Sequence, residues 1–138
     1  MAFFTRQDRG RVYVIRVTLP GGLVVYKIGM TNSPRSVDRM MEILRSWFMQ
    51  YRFVPHTELK LDLECSHPRE LEQHIHKVLS RQQFIPSKKV DGGTEMFIEI
   101  DEFRVIHYLK QFNMRNFDKP LKLTSKDYDA LGQLLNGR

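Results

Sequence analysis

The chain has 138 residues, 41% of them hydrophobic and 28% charged, a composition that points to one soluble globular domain. No apolar run approaches the roughly 20 residues of a membrane span. The single cysteine, Cys65, excludes an intrachain disulfide and a cysteine-rich zinc site. The net charge is +6, and all of the excess lies in residues 1–60, which hold ten Lys/Arg against four Asp/Glu; the remainder balances twelve against twelve. A polyanion is therefore a candidate ligand for the first half, the alternative being a solvated basic surface.

The opening MAFFTRQDRG has no apolar signal-peptide core, so a reducing cytoplasm is the expected location (the host cell's, if the chain is phage-derived), and residues 1–9 read as a loose lead-in. Val12 to Val17 is β-branched and aromatic and predicts a strand. Pro20-Gly21-Gly22 punctuates a turn, and Leu23 to Ile28 is again β-rich, so 11–28 reads as a hairpin. Both faces of each strand are largely apolar, which predicts a sheet covered on both sides. Period-2 alternation puts Leu23, Val25 and Lys27 on one face and Val24, Tyr26 and Ile28 on the other. A lysine in such a run is either at a strand end or held in a site.

Ser33-Pro34 predicts a helix start, with Ser33 as N-cap, and the helix runs from about 34 to 48. Its expected buried stripe is Val37, Met40, Met41, Leu44, Trp47 and Phe48, with Arg35 and Arg39 as i,i+4 neighbours on another face. That helix start, with its free N–H groups and positive partial charge, suits an anion. Phe53 to Leu63 alternates and reads as an edge strand. Pro68 opens a second helix, with Leu71, Ile75, Val78 and Leu79 buried and with Glu72 and His76 on an adjoining face. Residues 82–93 read as a loop and 95–100 as a short strand. Asp101 caps a third helix, to about Phe112, and a last helix runs from Thr124-Ser125 to near Asn136-Gly137. The expected division is a unit over residues 1–112 and a C-terminal extension over 113–138, its short helix packed on the same domain.

The five histidines show no HExxH spacing, and the chain has no GxSxG, P-loop or GxGxxG. A phosphodiester nuclease needs a base, cations on the phosphate, a metal and a carboxylate to hold it. Tyr13 would serve as the base if its phenol, ordinarily near 10, were lowered, and Lys27 on the neighbouring strand is the cation to do it. Arg35 or Arg39 would clamp a phosphate oxygen. Glu72 would hold one Mg²⁺ or Mn²⁺, because magnesium often takes only one or two protein carboxylates. Each residue alone is more often packing or solvated surface; the order and spacing of the set carry the reading.

Val12-Tyr13, Lys27-Ile28-Gly29, Thr31, a helix arginine, Glu72-x-x-x-His76 and the closing Gly93-x-Glu95-x-Phe97, taken in order, resemble the GIY-YIG nuclease superfamily. The resemblance is closer to its divergent phage and mobile-element branch, whose second motif reads KIG. It implies an α/β (α+β) fold with a small, mainly antiparallel three-stranded sheet flanked by helices. It also implies a one-metal endonuclease acting on DNA, double-stranded by default, and leaving 5′-phosphate and 3′-hydroxyl ends. By carry-over Tyr13 is the base, Lys27 its activating cation, Glu72 the metal ligand and Arg39 the phosphate clamp, with Arg35 as the fallback. His76 either contacts substrate or hydrogen-bonds between helix and sheet. Arg11, Lys27, Thr31, Arg35 and Arg39 make the expected nucleic-acid surface. Arg11 stands where the first motif has glycine, and the second motif's tyrosine is Lys27, which Tyr26 on the other face does not replace. The alternative is an inactive module of the same fold that holds nucleic acid or a partner protein. Specificity would come from loops, from residues 113–138, from a second copy or from a partner.

Overall fold

In the computed structural model, which describes residues 10–88, 90, 95–117 and 125–135, the hairpin forms the centre of the sheet. Strands β1 (Gly10–Thr18) and β2 (Val24–Thr31) pair antiparallel, with Tyr13 opposite Gly29 and Ile15 opposite Lys27. Gly21 and Gly22 both take φ of 93° in the connecting turn, a conformation open to residues without a Cβ. The sheet has five strands in the order β3-β1-β2-β5-β4, every pairing antiparallel. Three were expected. The other two are each two residues long: β4 (Gln83–Phe84) falls where a loop was expected and is too short to carry an alternation, and β5 (Met96–Phe97) lies within the short strand expected over 95–100. The strand expected over 95–100 stops after Phe97, and Glu99 takes a left-handed φ of 56°.

Alternation along the hairpin builds two cores, so the sheet is covered on both faces as expected. Val12, Val14, Tyr26 and Ile28 pack with Leu71, Ile75 and Leu109 on one side. Tyr13, Ile15 and Val25 pack with Ile43, Trp47 and Met96 on the other. The edge strand β3 (His56–Cys65) lies along β1, and its register shifts between Val14 and Ile15. This bulge splits a simple alternation: Leu59 joins the Tyr13 side, whereas Leu61 and Leu63 join the other. It also leaves Asp62 directly opposite Tyr13.

Helix α1 (Ser36–Tyr51) starts two residues later than expected, with an extended Arg35 as its N-cap. The reason is local. Arg11 Nε donates to the Pro34 carbonyl at 2.8 Å, and Ser33 Oγ accepts the Arg35 N–H at 3.5 Å, so both bonds hold a bend before the helix. The buried stripe is Ser36, Ile43 and Trp47, with Met40 packed beside it. Met41 and Phe48, expected inside, are 59% and 45% exposed. Helix α2 (Pro68–Val78) buries Leu71, Ile75 and the following Leu79, but leaves Val78 exposed, against expectation. Helix α3 (Glu102–Asn116) is capped by Asp101, which accepts the Arg104 N–H at 3.1 Å, and continues past Phe112. Helix α4 spans Ser125–Leu135. The lead-in of residues 1–9, Gly93 of the closing motif and the residues after 135 lie outside the described residues.

Candidate active site

Tyr13 projects from β1 across to Gly29 of β2, which has no side chain to block it. A Cβ on Gly29 would stand 2.5 Å from the Tyr13 phenolic oxygen and 3.0 Å from Glu95 Oε2. The phenol and the carboxylate therefore converge on one point above Gly29. Lys27, two residues back on the same face, forms an ion pair with Glu95, and its Nζ lies 5.9 Å from the Tyr13 ring centroid. Tyr13 and Lys27 are fully buried; Glu95 is 28% exposed at its side chain. A charge buried this completely costs several kcal/mol unless paired, on the order of what the carboxylate restores. Tyr26 faces the other core, as alternation predicts, and donates to Glu102 Oε1 at 3.1 Å. Burial, then that carboxylate, raise its phenol above its ordinary value, which keeps it neutral.

On the Tyr13 side of the sheet, α1 is fastened by a polar network. Ser36 is buried and donates Oγ to Asp62 Oδ1 at 2.5 Å, and Arg11 reaches the same oxygen at 3.2 Å. Arg11 is thus tied to Asp62 and to the Pro34 carbonyl, joining β1, β3 and the helix start. Thr31 Oγ1 accepts the Ser33 N–H at 3.1 Å and turns the chain out of β2. Arg35 points outward, 70% exposed, and pairs with Asp38 at 2.8 Å. The hydrogen bond between them holds the guanidinium above its ordinary value and the carboxyl below its own. Arg39 is 24% exposed, lies one turn after Ser36 and one before Ile43, and bonds Glu42 at 2.8 Å. Of the two arginines, Arg39 is the one on the sheet-facing side of the helix. Asp62 carries this arrangement and was absent from the sequence reading. Its signal was a carboxylate at an apolar strand's centre, in LKLDLE.

Glu72 and His76 come from α2, in the layer on the opposite side of the sheet. β5 pairs β2 only at Tyr26 and Lys27, and the next carbonyl, that of Ile28, accepts a hydrogen bond from His76 Nε2 at 2.6 Å. His76 therefore makes the helix-to-sheet bond that was one of its two readings. Glu72 stands one turn earlier, and its Oε2 is buried with no hydrogen-bond partner among the described residues. Among those residues no group of three or more His, Cys, Asp or Glu is arranged for a metal ion. Magnesium needs no such group, since it keeps several waters and takes one or two carboxylates. A buried carboxylate oxygen without a donor is one that a cation would satisfy, so Glu72 fits a single-carboxylate site.

The antiparallel sheet with helices on both faces defines a small α+β domain, and the family it matches is a phage-associated, nuclease-related one. The chain belongs to the T5orf172 domain family, which matches residues 10–113. No curated protein and no solved structure matches it. Among the described residues no helix is long and apolar enough to cross a membrane.

Proposed function

We propose that the chain is a metal-dependent DNA endonuclease that nicks or cleaves phosphodiester bonds by hydrolysis, leaving 5′-phosphate and 3′-hydroxyl ends. The observation that carries this reading is the convergence of Tyr13, Lys27 and Glu95 above Gly29. Tyr13 takes the proton of the attacking water. Lys27 holds the phenol's surroundings positive and is itself held by Glu95. Arg39 binds the scissile phosphate, and Arg35, at the outer rim, adds charge without touching the reacting atoms. Glu72, which α2 carries in the other layer of the sheet, is the carboxylate that would hold Mg²⁺ or Mn²⁺, an ion that when bound supplies charge neutralisation to a phosphate. His76 positions α2 against β2. Membership of a phage-associated nuclease-related family and the basic first half support DNA as the substrate class.

The test is supercoiled plasmid incubated with Mg²⁺ or Mn²⁺ and with EDTA. Metal-dependent nicking is expected, and Tyr13→Phe should lower it about 10²- to 10⁴-fold, the usual worth of a general base. Glu72→Ala should abolish it with an unchanged circular dichroism spectrum; undiminished cutting by that variant would remove Glu72 from the metal site. A second reading, a module that holds DNA without cutting it, draws on the complete burial of Tyr13 and Lys27, neither of which meets solvent. Salt-dependent binding with no cleavage under either metal would select it.

A further inference from the structure

At the turn end of the Tyr13 face lies a second feature, apart from the residues above. A cleft of about 390 Å³ opens between the C-terminal end of α1, the β1–β2 turn and the segment after β4. Its walls are rings: Trp47 stacks on Tyr51 with centroids 5.1 Å apart, and Phe53 leans on both at 6.0 and 5.6 Å. Ile85 stands at the cleft 75% exposed. The cleft is held open from within. The Lys88 N–H donates to Tyr51 Oη at 2.6 Å, Lys88 Nζ donates to the Gln50 carbonyl at 3.2 Å, and Ser87 Oγ bonds Tyr51 Oη at 3.0 Å. The loop is thus stapled to the helix, and its shape exists before any ligand arrives.

The charge around it is one-sided. The framing segments, residues 43–57 and 79–90, contain Arg45, Arg52, Arg81, Lys88 and Lys89 and no Asp or Glu, with Glu42, Glu58 and Asp91 just beyond their ends. Lys88 Nζ lies 5.4 Å from the Tyr51 ring centroid, at the cleft. An apolar, ring-walled recess framed by basic segments, with Lys88 against one of its rings, matches a ligand that is polyanionic and carries flat apolar groups. Single-stranded nucleic acid is that ligand, because each base offers a π-face and each link a phosphate. A duplex keeps its bases stacked and cannot enter.

We propose that this cleft receives an unpaired base of a DNA strand, so that the protein favours substrates with a single-stranded or extruded nucleotide beside the duplex. The proposal takes its ligand class from the DNA reading but does not depend on catalysis. The cleft and Tyr13 lie on the same face of the sheet, separated by the length of β1 from Tyr13 to Leu19. Six residues of strand span roughly 20 Å, about six nucleotide steps of a duplex strand. The cleft would then hold the strand at a fixed offset from the bond attacked.

Trp47 is the chain's one tryptophan; it is 2% exposed and stacked on Tyr51, so its emission reports the cleft through that stack. In EDTA, a twelve-residue oligothymidylate should quench that emission and a blunt twelve-base-pair duplex should not. Ile85→Glu, at a position 75% exposed and outside both cores, should fold normally and weaken oligothymidylate binding about tenfold; Phe53→Ala, which also removes a ring packed on the Tyr13 core, should weaken binding by a similar factor. An unchanged emission, equal responses to oligothymidylate and duplex, or full binding by Ile85→Glu would overturn the proposal. A response to N-acetyl-phenylalanine amide but not to oligothymidylate would assign the cleft to a protein side chain instead, and would also overturn it. Quenching as expected in a protein that cuts no plasmid would leave the cleft standing and sink the nuclease reading. Cutting with a silent Trp47 would do the reverse.

Discussion

At the scale of single residues, Gly29 and Glu95 decide whether Tyr13 and Lys27 form a site. Gly29 earns its place by close approach rather than by backbone freedom, since any Cβ there meets a buried phenol. Gly29→Ala should displace Tyr13, lower nicking at least tenfold and cost about 1–3 kcal/mol of stability in urea unfolding, the usual range for overpacking. Glu95→Gln takes the carboxylate from a lysine with no solvent contact. A loss of about 2–3 kcal/mol is expected, below the full cost of breaking a buried pair because Glu95 is partly exposed. Adding Lys27→Met should recover most of that loss in a double-mutant cycle, and strictly additive losses would show that the pair is not the source. The KIG motif announced the lysine and the glycine. Glu95 stands in the sequence only as a member of the closing Gly93-x-Glu95-x-Phe97, because its partner Lys27 is nearly 70 positions away and meets it only when β5 joins β2.

At the scale of elements, α1 is oriented by polar bonds as much as by its stripe. Asp62 Oδ1 serves both Ser36 and Arg11, so one oxygen ties the first turn of α1 to β1 and β3. Asp62→Ala leaves the buried Ser36 hydroxyl without its acceptor, and a loss of about 1–3 kcal/mol follows from desolvation. Because Arg39 lies one turn along, the same variant should also weaken nicking and do so mainly through KM; an unchanged KM would show that the network does not orient Arg39. The sequence reading set the stripe one position off, taking Met41 and Phe48 for core where Ile43 is buried. The helix is apolar on more than one side, so periodicity alone cannot say which apolar residues face the sheet. The bulge in β3 misled alternation in the same way, since an inserted residue leaves composition unaltered while sending Leu59 and Leu61 to opposite cores.

At the scale of the whole molecule, the sheet separates two layers with different work. α1 and the β5 segment pack on the Tyr13 face, while α2 and α3 cover the other, from which His76 reaches the Ile28 carbonyl of β2. α3 also crosses the expected division after residue 112. α3 runs through residue 112 to Asn116, Asn113 is buried, and Phe117 stacks on His67 at 4.8 Å. A chain ending at Phe112 should therefore unfold several degrees lower than the full chain, whereas one ending at Phe117 should keep its midpoint in a thermal melt. Among the described side chains of α4, Leu134 and Leu135 are 75% and 83% exposed, so removing these two costs little apolar burial. Equal melting of the two truncated chains would contradict this boundary.

Local chemistry by itself determined the hairpin, its two apolar faces, the face on which Lys27 lies and the order of the site motifs. Those depend on turn residues, β-branching and period 2, which act over a few neighbours. The tertiary structure alone decided the rest: five strands rather than three, the later start of α1, Arg39 rather than Arg35 on the sheet side, and Asp62 and Glu95 as partners. Each of these turns on a contact between positions far apart in the chain, or on a break in periodicity at a single residue. Neither leaves a mark in local composition.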